Sequence, residues 1–235
     1  MKIDIKDFSN AIESGSVNVA LVIHYFGFCR NDMTAIKTLC NKHNVLLVED
    51  CAHAFQIGVN NQRLGNYGDY SFYSLHKHLA TSAGGALKIN TTAIQLPKLP
   101  ENKHIATIDL EQYAKTQFDQ VADVRRNNFL SYTKFLPLSD NIKVMFDLIE
   151  LDVPQSFPIL VKNSLREKLY FYLIENNMPV TALYYRMINQ LTADKFPISF
   201  VISHEILNLP VHQDVNEHDI EMICNSISIF LNNQK

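Results

Sequence analysis

Two short apolar runs, separated by one helix-length amphipathic segment, constrain this chain more than any other feature. Val19-Ala-Leu-Val-Ile23 and Val45-Leu-Leu-Val48 have the length of strands, and neither alternates with polar residues. Between them Asp32 is placed to cap a helix, and Met33, Ile36, Leu39 and Cys40 recur at helical spacing. Strand, helix and strand in about 30 residues make a βαβ unit, so a parallel sheet covered on both faces is expected. Ligands of open α/β sheets gather outside the carboxyl ends of the strands. His24-Tyr25 and Glu49-Asp50 stand at those ends.

Special backbone geometry is concentrated just downstream. The chain has 7 glycines in 235 residues, and Gly58, Gly65, Gly68, Gly84 and Gly85 fall within one short span. A Gly- and Asn-rich loop (Gly58 to Gly68) leads to an expected strand at Tyr70 to Leu75, and Gly84-Gly85 leads to another at Ala86 to Ile89. Residues 90 to 104, with Pro97 and Pro100, read as a surface crossing, and Ile108 to Leu136 as helix interrupted once. The texture changes near Asp152-Val-Pro154. Beyond it the pattern predicts a strand at Phe157 to Val161 and a helix capped by Asn163 and running to about Asn176. Short strands at Pro179 to Ala182 and Leu207 to Val211 follow, then a last helix, Ile220 to Leu231, opened by Asn216 and Asp219. The expected organisation is a large α/β lobe over 1–136, a linker over 137–151 and a small α+β lobe over 152–235.

Composition removes several classes. Lys plus Arg is 21 against 24 Asp plus Glu, a formal net charge of -3, so nucleic acid is not an expected partner. No apolar run approaches the ~20 residues of a membrane helix, and the opening MKIDIKDF lacks the apolar core of a secretion signal. Cys29, Cys40, Cys51 and Cys224 form no C-x-x-C pair, which fits a reducing cytoplasm. His24, His53, His76 and His78 with Asp50 and Cys51 show neither H-x-x-x-H nor H-x-E spacing, so no metal is expected. No G-x-G-x-x-G follows the first strand, against a nicotinamide cofactor.

What remains is Val48-Glu-Asp-Cys-Ala-His-Ala-Phe55, Gly65-Asn-Tyr-Gly-Asp69, Ser71-Phe-Tyr-Ser-Leu-His-Lys77 and Ala83-Gly-Gly-Ala-Leu87. A carboxylate ends one buried strand, and a lysine lies just beyond a later one. An aldehyde cofactor with a pyridine ring needs both: an amine to bond the aldehyde carbon, and an acid to keep the ring nitrogen protonated. Asp50 and Lys77 fit those roles, and burial would favour an unprotonated Lys77 able to carry a proton.

These residues resemble the DegT/DnrJ/EryC1/StrS family of pyridoxal-phosphate (PLP) aminotransferases that act on nucleotide-linked keto sugars. Glu49-Asp50-Cys51-Ala52-His53-Ala54 matches its E-D-x-A-[QH]-A block, followed in order by Gly68-Asp69, Lys77 and Gly84-Gly85. Ile23-His24-Tyr25-Phe26-Gly27 with Asp32-Met33 is similar to the loop and helix before that block. Phe157-Pro158-Ile159, Leu183-Tyr184-Tyr185 and Leu207-Asn208-Leu209-Pro210 are similar to the family's small domain. The resemblance implies an aspartate-aminotransferase-like α/β fold, PLP-dependent transferase fold type I, with an incomplete large domain. It implies that Asp50 pairs with the pyridine nitrogen, His53 lies beside the ring, Lys77 bonds the cofactor, and Ser74, in preference to Ser71, binds its phosphate. The implied reaction moves an amino group, from glutamate, to a keto group of a nucleotide sugar. The family's G-x-N-x-R stretch has no counterpart in 90–125, and the family pattern begins with a segment upstream of the His24 loop that this chain does not contain. An apolar face and unpaired strand edges are therefore expected. The implied assembly is a homodimer or a complement with a chain carrying that segment, and the alternative is a catalytically inactive homologue or one subunit of a split enzyme.

Overall fold

The computed structural model describes residues 1–28, 30–54, 64–91, 100, 106–150 and 152–234. The Gly58 end of the expected loop and the crossing around Pro97 lie outside them. The chain forms two compact units, one of Met1–Ala122 with Leu151–Gln155, the other of Asp123–Glu150 with Ser156–Lys235.

In the first unit β1 (Val19–Ile23), β2 (Leu46–Cys51), β3 (Tyr70–Ser74) and β4 (Gly85–Ile89) pair in sequence order. The first three are parallel, with Ile23 opposite Asp50 and Asp50 opposite Phe72. β4 runs antiparallel to β3, because the short stretch 75–84 is below the dozen or so residues that a parallel crossover needs. Two helices pack on one face. α1 (Ile5–Glu13) is capped by Asp4, whose carboxylate accepts from the Lys6 and Asp7 N–H groups, and α2 (Met33–Lys42) is capped by Asp32 through the Ala35 N–H. The βαβ periodicity predicts α2; α1 is an addition to it. Ile12, Met33, Ile36 and Cys40 close over Ala20, Val22 and Leu47.

The opposite face departs from the sheet covered on both sides that the βαβ pattern predicts, and carries the apolar face that the family resemblance leads one to expect. Val19, Leu21, Phe72, Leu87 and Ile89 are respectively 53, 53, 36, 52 and 52% exposed. Their register puts them in one surface: Leu21 is opposite Val48, Val48 opposite Tyr70, Tyr70 opposite Ile89, and Phe72 opposite Leu87.

α3 (Thr107–Lys115) and the start of α4 (Phe118–Phe135) also belong to this unit, and the break between them is the interruption expected after Ile108. Residues 152–155, assigned from composition to the small lobe, are bound here instead. Arg30 meets the Asp152 carboxylate with two nitrogens at 2.7 and 3.0 Å, and the Gln155 N–H donates to the Phe26 carbonyl at 2.9 Å.

In the second unit β5 (Ile142–Val144), β6 (Phe157–Val161) and β7 (Ile206–Leu209) form an antiparallel sheet. The expected linker 137–151 thus contains an edge strand, too short for its alternation to be read. α5 (Arg166–Glu175) and α7 (Glu217–Asn232) supply Leu169, Leu173, Ile220, Ile223 and Ile227 to a core with Phe157, Ile159 and Leu207. Tyr132 stacks on Phe157 at 4.9 Å. Asn216 and Asp219 form the reciprocal cap of α7. Asn163 does not cap α5: it has φ 57°, followed by Ser164 at 58°, and its amide donates to the Asn141 side chain at 2.5 Å. The expected strand at 179–182 reduces to one bridge, Thr181 to Asn208, and α6 (Pro197–Glu205) was not foreseen.

Candidate active site

The carboxyl ends of β1, β2 and β3 carry the predicted residues into one neighbourhood. Asp50 lies one residue from the end of β2 and faces the open side of the sheet in the row Ile23–Asp50–Phe72. Its Oδ1 accepts the Ala52 N–H at 2.9 Å, which turns the chain sharply toward His53. Ser74 ends β3, and Lys77 sits in the single 3-10 turn that follows, Leu75–Lys77. Alternation along β3 puts Ser74 on Asp50's face and Ser71 on the other, where the Ser71 hydroxyl donates to the Gly65 carbonyl at 2.9 Å. Of the two serines, only Ser74 shares a face with Asp50.

The electrostatics tie these groups together. Burial lowers the Lys77 ammonium below its ordinary value while the Asp50 charge pulls it back up. His53 is buried, and desolvation followed by the Lys77 charge pushes it down to about 4. Burial and then Asp50 push the Tyr25 phenol up. The His53 ring stacks on Phe26, centroids 5.5 Å apart, and Nδ1 accepts the Phe26 N–H at 3.4 Å. A neutral imidazole accepting at Nδ1 carries its proton on Nε2. Phe26 adopts φ 57°, a strained conformation for an aromatic residue, in the turn Tyr25–Gly27.

Glu49 and His24 form a buried pair for which the sequence assigns no role. Glu49 is fully buried on the helix-covered face, next to Asp50 but pointing the opposite way. Oε1 accepts from the Tyr67 and Gly68 N–H groups at 2.8 and 2.5 Å, and Oε2 accepts from the Gly65 N–H and His24 Nε2 at 2.9 and 2.8 Å. Burial alone would raise the Glu49 carboxyl, but hydrogen bonds from His24, Gly68 and Gly65 bring it below the usual value. A side chain at Gly65, φ +83°, would collide with the Tyr73 hydroxyl, so the loop can reach Glu49 only with glycine there. His24, Glu49 and Cys51 bring donor atoms within 4.8 Å of one another. With four donors already on the carboxylate, a metal ion there would have to displace hydrogen bonds that the buried carboxylate already accepts.

Residues 1–96 and 103–228 match the DegT/DnrJ/EryC1/StrS aminotransferase family. The chain belongs to that family. Among DegT/DnrJ/EryC1/StrS relatives, GDP-perosamine synthase of Vibrio cholerae is 22% identical over 270 residues, spanning 99% of this chain and 71% of that protein. The dTDP-3-amino-3,6-dideoxy-alpha-D-galactopyranose transaminase of Aneurinibacillus thermoaerophilus is 24% identical over 238 residues, 88% of this chain and 64% of that one. A Streptococcus pneumoniae protein solved in its PLP form has a similar fold, TM-score 0.75 at 15% identity, over 97% of this chain and 71% of its own. The chain therefore spans between 64% and 71% of the length of these relatives. Its fold is that of the aspartate-aminotransferase-like, type I transferases.

Proposed function

We propose that this chain is the PLP-binding part of an aminotransferase that moves an amino group, taken from glutamate, to a keto group of a nucleotide-linked sugar in a reducing cytoplasm. The observation that carries it is the mutual influence of Asp50, Lys77 and His53 at the ends of adjacent parallel strands. The donor set fits the cofactor: an acid for a pyridinium nitrogen, a deprotonatable amine, a flat neutral imidazole and a hydroxyl on one face. PLP, when bound, supplies a carbon that accepts amino groups and a ring that takes up the electron pair left when a neighbouring C–H proton departs. Asp50 holds the proton on the ring nitrogen. His53, held by Phe26, would lie against the ring, and the Ser74 hydroxyl would donate to the phosphate. Lys77 Nζ, whose proton burial makes easier to lose, would hold the cofactor and then move a proton between substrate and cofactor at that nitrogen.

Titrating the purified chain with PLP should give a visible band that borohydride fixes to the protein. Lys77→Ala should lose both. A wild-type chain with no band, or a variant that keeps it, overturns the assignment.

The open sheet face favours a second reading, in which the chain acts within an assembly that covers Val19, Leu21, Phe72, Leu87 and Ile89. A second copy of this chain would supply the cover. A chain that binds PLP as a monodisperse monomer in sedimentation removes this reading. A dispersed chain that binds none favours a catalytically inactive relative.

A further inference from the structure

We infer that Glu49 is a positioning residue: its buried carboxylate holds the His24–Phe26 turn and the Gly65–Gly68 loop so that Phe26 fixes the ring of His53. This rests on the reading of Asp50, His53 and Lys77 as the cofactor site and names the group that builds it from behind the sheet. The path is continuous. The Glu49 carboxylate takes the His24 ring at 2.8 Å, while the His24 N–H donates to the Asp50 carbonyl at 3.0 Å, so the ends of β1 and β2 are fastened twice. The next residues form the turn in which Phe26 stands at φ 57°, stacks on His53 and donates to its Nδ1. A strained turn persists only where its surroundings over-determine it. Glu49 acts on one side through His24, and the Gln155 N–H, donating to the Phe26 carbonyl, acts on the other.

The chemistry requires a carboxylate. All four partners are donors, and an ionised carboxylate offers enough lone pairs for all of them. An amide of the same shape must turn its NH2 toward two of those donors. The less damaging orientation faces His24, which can accept at Nε2 only by moving its proton to Nδ1. That atom is buried with no hydrogen-bond partner among the described residues. Glu49→Gln should therefore switch the tautomer of His24, leave the Gly65 N–H without an acceptor and loosen the Phe26 turn.

The test reads the imidazole nitrogens by 15N NMR on the chain without cofactor, then titrates PLP. The variants are Glu49→Gln, His24→Phe, which keeps the three backbone bonds to Glu49, and the core control Ile36→Val. In the wild type His24 should carry its proton on Nε2. In Glu49→Gln it should move to Nδ1, and the His53 midpoint should rise from about 4 by about one pH unit as the ring gains water and distance from Lys77. His24→Phe should raise that midpoint too. In both variants PLP should dissociate more readily, on the order of tenfold. Ile36→Val should move neither reading. The inference is overturned if both site variants leave the His53 midpoint in place, or if Ile36→Val shifts it equally. A wild type that takes up no PLP would refute the cofactor site alone, since the His53 titration is read without it.

Discussion

The two faces of the β1–β4 sheet are made from the same strands and end in opposite conditions. On one face Ala20, Val22 and Leu47 lie under α1 and α2, and Glu49 and Ser71 spend their polar atoms on the Gly65–Gly68 loop. On the other, Leu21, Leu87 and Ile89 meet solvent and Asp50 stands half-buried. Neighbouring carboxylates, Glu49 and Asp50, are divided by the two-residue period of the strand into a structural anchor and a group available to a ligand. On the proposed reading, one face builds the cofactor site and the other presents it.

The largest test of that contrast is truncation on each side. Leu47→Ala removes a fully buried side chain from between the helices and the sheet and should cost about 2–5 kcal/mol in urea unfolding. Leu21→Ala and Leu87→Ala, half exposed, should each stay within roughly 0.5 kcal/mol for the isolated chain. An outer-face loss as large as that of Leu47→Ala would mean the surface is covered in solution, and concentration dependence of that loss would identify self-association as the cover.

Next in size is the effect of acid where the faces meet at the strand ends. The His53 midpoint falls from 6.5 in the unfolded chain to about 4 in the fold, so between these values the unfolded state binds a proton that the folded state refuses. Stability should decline by about 3 kcal/mol as pH drops from 6.5 to 4, with no further loss from this group below that. Glu49 has the opposite sign of charge but contributes in the same direction at lower pH: its depressed folded value adds stability above the ordinary carboxylate range, lost as pH falls through the folded value. Denaturant midpoints across pH should show the upper slope vanish in His53→Phe and persist in Ser74→Ala.

Much of this arrangement is legible in the sequence, and the illegible parts have physical causes. β1 and β2 are readable as unbroken apolar runs of strand length, and α2 because its apolar residues recur at helical spacing after Asp32. α1 is hidden because Ile5, Phe8 and Ile12 are set among charges at the chain's opening. The apolar run of α6 has no face to read, as Ile198, Phe200 and Val201 are all exposed. Asp50 and Lys77 are candidates from sequence because cofactor chemistry restricts the residue type at each, and His53 and Ser74 because the family resemblance implies them. Glu49 stands in the same motif, yet three of its four partners are backbone N–H groups, which carry no side-chain signature, so only the folded loop shows what it holds. The open face follows from the same limit: Val19 and Leu21 read as buried because alternation is absent, but sequence does not say what buries them.

The finest distinction lies within β3, where two serines three residues apart face opposite ways. The Ser71 hydroxyl, fully buried, donates to the carbonyl of Gly65, the residue whose N–H is held by Glu49. Ser71→Ala should destabilise the unit by about 1 kcal/mol, and PLP affinity should follow only as far as the loop loosens. Ser74→Ala removes a hydroxyl from the half-buried end of the strand and should leave unfolding within roughly 0.5 kcal/mol of wild type. It should still raise the PLP dissociation constant while leaving that for pyridoxal, which lacks the phosphate, unchanged. Equal weakening toward both ligands would move the phosphate away from Ser74, and the same result in Ser71→Ala would mean that the faces are not separable at this strand.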